Sequence, residues 1–130
     1  LRNPPVNGLS KALRSGIITA LDKCHGHKNV KSIILKGDNN NFCAGADIKE
    51  FASGTHLASP TLDEVFKYME TSSLPILASL HGPTLGGGLE TALACHWRIA
   101  NDETKNGISP ALLGLPEVHL GILPGAGGTQ

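Results

Sequence analysis

Residues 81–95 read HGPTLGGGLETALAC, and the way this stretch is parsed decides the fold. His81-Gly82-Pro83 is a breaker that closes PILASLH (75–81), an apolar run that reads as a buried strand. Three glycines then weaken any helix or strand, yet Glu90 follows at once and TALAC continues in helical character. The spacing predicts a strand, a glycine turn and a helix over 87–96. Such a junction leaves backbone N–H groups unpaired at the helix start, and the missing Cβ atoms let another atom approach them closely.

Working outward from that turn, strands and helices alternate. WRIA (97–100) reads as a short strand after the helix. Upstream, Ser10 is placed to cap a helix whose apolar face carries Leu13, Ile17 and Leu21. VKSIIL (30–35) is a β-branched run closed by Gly37-Asp38, and it reads as a buried strand. FCAGADIKEF (42–51) is a loop passing into a short helix. Thr61 and Glu64 form a capping box ahead of Leu62, Val65, Phe66 and Met69, which share one helical face. Residues 101–114 (NDETKNGISPALLG) carry no clear period. LPEVHLGILPGAGGTQ (115–130) suits one helical turn starting at Pro116 and then a glycine-rich loop. This alternation implies an α/β architecture with parallel strand pairing.

Composition narrows the function classes. The chain has 130 residues, 40% of them apolar and 17% charged, which suits one globular domain or part of one rather than a disordered segment. Eleven basic side chains balance eleven acidic ones, so no basic excess exists to neutralise a nucleic-acid backbone. No apolar run reaches the roughly 18–20 residues that span a bilayer. Cys24, Cys43 and Cys95 lie far apart without a Cys-x-x-Cys, which suits free thiols and no structural zinc. Leu1 follows no leader-like segment, and Gln130 stops just past a glycine-rich turn. Both ends look cut, so the expectation is a fragment of a larger domain.

The glycine clusters invite a test for phosphate binding. LGGGLE lacks the Lys-Ser/Thr of a P-loop, neither cluster spells a dinucleotide fingerprint, and an acid beside the turn would repel a phosphate. A hole for a developing oxyanion fits better, since unpaired N–H donors and the helix dipole both favour negative charge there. Glu90, three residues after Gly87, lies on the same side of the helix as that N–H. Glu117, after Pro116, is a possible partner acid, and two carboxylates in different environments can divide acid and base roles. The plainer readings stand beside these. Acids in a first helical turn suit the dipole without any catalysis, and paired glycines can serve packing alone. His81 and His96 sit at element ends where a cation suits a helix dipole, Cys95 reads as a small core residue, and Asp47 and Lys49 read as solvated. No G-x-S-x-G occurs, so a serine hydrolase lacks its nucleophile turn.

FCAGADIKEF, HGPTLGGGLETALAC and GLPEVHLGILPGAGGTQ, in this order, resemble the enoyl-CoA hydratase/isomerase (crotonase) family, and the resemblance runs from PPVN to Gln130. In detail, CHWRIAN and NFCAGADI look most like the peroxisomal bifunctional members of that family, whose N-terminal part is a hydratase/isomerase. The resemblance implies an α/β spiral of ββα units, commonly trimeric, acting on acyl-CoA thioesters in fatty-acid β-oxidation, of which this fragment would lack the first strand and the C-terminal helices. By motif position, Ala46 and Gly87 would supply the oxyanion-hole N–H groups, and Glu90 and Glu117 would be the catalytic glutamates. Asp47, Ile48 and Lys49 fall where the family lines its CoA site. No cofactor is implied beyond the coenzyme A of the substrate; NAD would belong to a separate dehydrogenase domain. The implied compartment is the peroxisome, with the mitochondrion as the alternative.

Two features depart from that pattern. The segment between Asn101 and Gly114 is longer than the resemblance predicts, and ISPALLG looks inserted just before GLPEV. A loop absorbs added length at little entropic cost, but a catalytic group tolerates little displacement. An inactive module of the same fold, serving binding or assembly, is therefore the competing expectation. RNA binding by a relative of the fold is a third, and the neutral charge disfavours it.

Overall fold

The computed structural model describes residues 1–104 and 106–129; Lys105, within the unassigned 101–114 segment, and Gln130, where the resemblance ends, lie outside the described residues. Helix α1 spans Lys11–His25, and the Ser10 side chain caps it by accepting the Leu13 N–H at 3.3 Å. Its inward face buries Ile17 and Leu21, as the spacing predicts. Strand β1 covers Ile33–Lys36. It starts later than residue 30 because the Val30 N–H is taken by the His27 carbonyl in the turn after α1.

Strands β2 (Ile76–Leu80) and β4 (Trp97–Ala100) complete a parallel sheet in the order β1-β2-β4. Its register aligns Ile34, Leu77 and Trp97 in one row and Leu35, Ala78 and Arg98 in the next. Rows alternate between faces because the strand period is two. Ile76, Ala78 and Leu80 are buried on one face, in a core shared with Ile17 and Leu21 of α1. Helix α3 (Leu62–Glu70) adds Val65, Phe66 and Met69 to that core, and its Thr61–Glu64 capping box is formed in both directions. The opposite face leaves Ile34, Trp97 and Ile99 exposed.

Two short strands carry no signal in the sequence. Pro83–Leu85 is β3 and Leu112–Gly114 is β5, and they pair in parallel with Thr84 opposite Leu113. Cys43 bridges Thr84 on the other side, also in parallel. A second, shallow ladder therefore runs Cys43–Thr84–Leu113 beside the main sheet. Each turn of the chain contributes a long strand to the first sheet and a short one to the second, and then a helix. The turns are β1, Cys43 and α2 (Ile48–Ser53) with α3; β2, β3 and α4 (Gly87–Leu93); and β4, β5 and a one-turn 3-10 helix, Pro116–Leu120. This is the expected spiral of ββα units.

Two boundaries differ from expectation. Helix α4 stops at Leu93 rather than 96, because the Arg98 guanidinium takes the carbonyls of Ala92, Leu93 and Cys95 at 3.2, 3.3 and 2.8 Å. ISPALLG is not wholly an insertion, since Leu112–Gly114 is strand β5 and the Ala111 N–H bonds to the Asn101 carbonyl. Between Asn101 and Ala111 the chain turns where Asn106 and Gly107 adopt positive φ. Among the described residues, no helix is long and apolar enough to cross a membrane.

Candidate active site

The short ladder explains how Ala46 and Gly87 come together. Cys43 and Thr84 are paired, and each chain runs three residues further in the same direction, from 43 to 46 and from 84 to 87. Neither N–H has a hydrogen-bond partner among the described residues. The two donors border one space: a Cβ added to Gly87 would stand 3.5 Å from the Ala46 nitrogen. The three glycines of LGGGLE therefore have separate tasks. Gly86, the residue before the helix, adopts φ 53° and ψ −129°, which an L side chain resists. Gly87 keeps the opening free. Gly88 lies so close to the bridge that a Cβ would meet the Cys43 carbonyl oxygen at 2.1 Å.

Glu90 sits one turn into α4 and is 4% exposed. Its Oε1 accepts the N–H groups of Ala126 and Gly128 at 2.9 and 3.0 Å. The loop at 125–129 thus folds back onto Glu90 of α4, and those two donors are not apparent in the sequence. A glycine-rich run that can present successive N–H groups is the available signal. Glu117 enters on the Pro116–Leu120 turn, four residues past Leu113 of the same ladder. It is buried, and its Oε2 is fully shielded without a hydrogen-bond partner among the described residues. The Glu117 Oε1 lies 3.0 Å from where a Cβ on Gly86 would stand.

A cleft of about 480 Å³ collects Ala46, Asp47, Ile48, Gly87, Glu90 and Glu117 along its walls. Leu57, Leu62, Leu120 and Leu123 give it an apolar side. Lys49 is exposed and outside this lining, although its N–H donates to Asp47 Oδ1 at the start of α2. His81 meets the Asn39 carbonyl, and His96 Nδ1 accepts the Ile76 N–H at 3.2 Å, so it anchors the start of β2 rather than a helix end. Burial pushes the Cys43 thiol up to about 11 and the Cys95 thiol up to about 12, so neither is a nucleophile near neutral pH.

Arg14 is a residue that the sequence pattern does not single out. It stands three residues before Ile17 on the apolar stripe of α1 and is 2% exposed. Its guanidinium pairs with Glu50 at 2.8 Å. Burial alone would raise the Glu50 carboxyl, but the Lys11 N–H and Arg14 outweigh it and hold the group below the usual carboxylate range.

The fold and its site point to one class of protein. The architecture is the crotonase fold: a crystal structure of an enoyl-CoA hydratase from Bacillus anthracis superimposes with a TM-score of 0.85 and 38% identity, over 99% of this chain and 49% of that one. Residues 1–130 match the enoyl-CoA hydratase/isomerase family, and the chain belongs to that family. It is 45% identical over its whole length to the peroxisomal bifunctional enzyme of Danio rerio, covering 17% of that protein. It is 43% identical to a probable enoyl-CoA hydratase of Bacillus subtilis (strain 168), covering all of this chain and 50% of that protein. The chain thus spans half of the Bacillus subtilis relative and about a sixth of the Danio rerio one.

Proposed function

We propose that this cleft hydrates trans-2-enoyl-CoA to 3-hydroxyacyl-CoA and/or isomerises 3-enoyl-CoA to 2-enoyl-CoA, in fatty-acid β-oxidation. The observation that carries the reading is the meeting of two unpaired N–H groups, on Ala46 and Gly87, with two buried carboxylates in one cleft. The thioester oxygen accepts both N–H groups as it becomes enolate-like, and each such donor supplies about 3 kcal/mol of transition-state stabilisation. With Glu90 Oε1 committed to Ala126 and Gly128, its other oxygen is free to hold a water. Glu90 and Glu117 hold that water between them; its oxygen adds to C3 while one of its protons passes through Glu117 to C2, so both carboxylates end as they began. In isomerisation Glu117 takes a proton from C2 and returns it to C4.

Asp47 and Ile48, on the cleft wall, would border the coenzyme A portion, and exposed Lys49 would meet its charged end from the rim. No cofactor enters either reaction, and NAD would belong to a separate dehydrogenase domain. Relatives from peroxisomes support a peroxisomal setting over a mitochondrial one, and a homo-oligomer is part of this proposal for the complete domain only.

The test is the full chain incubated with crotonyl-CoA. Loss of the enoyl ultraviolet absorbance is the expected result. Unchanged absorbance from folded protein would sink the hydratase reading and leave the inactive module of the same fold.

A further inference from the structure

Arg14 borders the cleft but has nothing left to offer a ligand. A guanidinium carries five N–H donors, and the side chain makes five hydrogen bonds within the protein. Nε donates to the Pro60 carbonyl at 2.7 Å, one terminal nitrogen to the Leu9 carbonyl and Glu50 Oε2 at 2.8 Å each, and the other to the Thr55 and Ala58 carbonyls at 3.3 Å each. An anion-binding role for this cation is thereby excluded.

The pattern of those bonds brackets the Ala46 segment. Upstream, the Leu9 N–H donates to the Gly45 carbonyl at 2.9 Å, and the Leu9 carbonyl is held by Arg14. Downstream, Glu50 takes the Lys11 N–H on Oε1 at 2.6 Å and Arg14 on Oε2. The Glu50 N–H in turn donates to the Asp47 carbonyl at 2.9 Å. Both ends of residues 45–50 are therefore tied to the first turn of α1. Arg14 also holds 55–60, the approach to Leu62, whose Cδ1 would stand 3.5 Å from a Cβ on Gly87.

We propose that the pair of buried Arg14 and half-buried Glu50 is a positioning device that holds the Ala46 N–H against the Gly87 N–H at the spacing a thioester oxygen requires. The inference rests on the reading of these two groups as an oxyanion hole. A buried ion pair adds little stability over apolar packing of equal volume; its directional bonds supply geometry instead. Misplacing a reacting group by about 1 Å costs about a hundredfold in rate.

Glu50→Gln, Arg14→Lys and the apolar double variant Arg14→Met with Glu50→Leu test this in the full chain. Each is assayed with crotonyl-CoA and by the infrared carbonyl stretch of bound butyryl-CoA, after circular dichroism shows a folded protein. Wild type should lower that stretch on binding. The folded variants should lower it less and lose about ten- to a hundredfold in kcat, with KM changed by less than about threefold. Should Arg14→Lys fail to fold, Glu50→Gln decides, because its amide keeps the shape and an acceptor for Lys11. Wild-type kcat and carbonyl frequency in folded variants would overturn the proposal and leave the pair a scaffold. Absence of any carbonyl shift in wild type would instead remove the oxyanion reading beneath it.

Discussion

Gly128 donates its N–H to Glu90 Oε1 over 3.0 Å, closing a separation of 38 residues onto a single carboxylate oxygen. Ala126 shares that oxygen. Glu90 is thus a structural acceptor and a candidate base in one side chain, and substitutions can separate these roles. Glu90→Gln keeps an amide oxygen for both donors, so its melting temperature should stay near wild type. Its hydration rate should fall at least about a hundredfold, while acyl-CoA binding persists. Glu90→Ala should lose the same rate and also melt earlier, since two part-buried donors are orphaned, each at a cost of up to about 1 kcal/mol. Rates with crotonyl-CoA and thermal melts check both. Retained activity in Glu90→Gln would make the residue a loop anchor only.

Gly86 and Glu117 meet across the other side of the cleft. A side chain on Gly86 would crowd Glu117 Oε1 and would have to adopt φ 53°. Gly86→Ala should therefore mimic Glu117→Gln, suppressing isomerisation of a 3-enoyl-CoA by roughly tenfold or more. Comparing the two single variants with the double variant tests this. If they act through the same carboxylate, the double loses little beyond Glu117→Gln. Fully additive losses would mean that Gly86 acts through the backbone alone.

Elements that carry their own signal are legible in the amino-acid sequence. Ser10 and the Thr61–Glu64 box announce two helices, and β2 stands out as an apolar run closed by His81-Gly82-Pro83. The short ladder does not, because three residues such as Pro83–Leu85 show no period, and their partners come from distant chain positions. The site divides along the same line. Ala46, Gly87, Glu90 and Glu117 stand out by motif resemblance, while their supports do not. Ala126 and Gly128 act through backbone N–H groups that no side chain advertises. Arg14 belongs to no motif, and only the fold shows five acceptors converging on it.

Gly87 and Gly88 should respond differently to the same methyl group. On Gly88 it would lie 2.1 Å from the Cys43 carbonyl oxygen, which is backbone and part of the bridge ladder. Gly88→Ala should lose about 1–3 kcal/mol or more of stability. On Gly87 the nearest atoms are Leu9 Cδ1 at 3.3 Å and the Ala46 nitrogen at 3.5 Å, so the methyl group fits but enters the opening between the two donors. Gly87→Ala should fold and melt close to wild type, yet lose most of its hydration rate. Denaturant melts paired with rate assays distinguish the two positions. Equal destabilisation would remove the division of labour inferred for LGGGLE.

Acid should act on the Arg14–Glu50 pair in one direction only. The Glu50 carboxyl sits below its ordinary value of 4.5, so protons bind it more readily in the unfolded chain than in the folded one. Stability from this group is then fully present above pH 4.5, and it is lost as pH falls through the lowered folded-state pKa. Other carboxylates titrate in the same range, among them Glu64, which the Thr61 N–H and the Ser59 hydroxyl hold low. The informative quantity is therefore the stability difference between wild type and Glu50→Gln. That difference should be constant near neutral pH and shrink as pH falls below 4.5 and through the lowered folded-state value, measured by urea melts at fixed ionic strength. Salt should change it little, because both partners are withdrawn from solvent. Parallel stability curves for the two proteins across the acid range would show that Glu50 gains nothing from its charge, and that its hydrogen bonds alone hold residues 45–50 to α1.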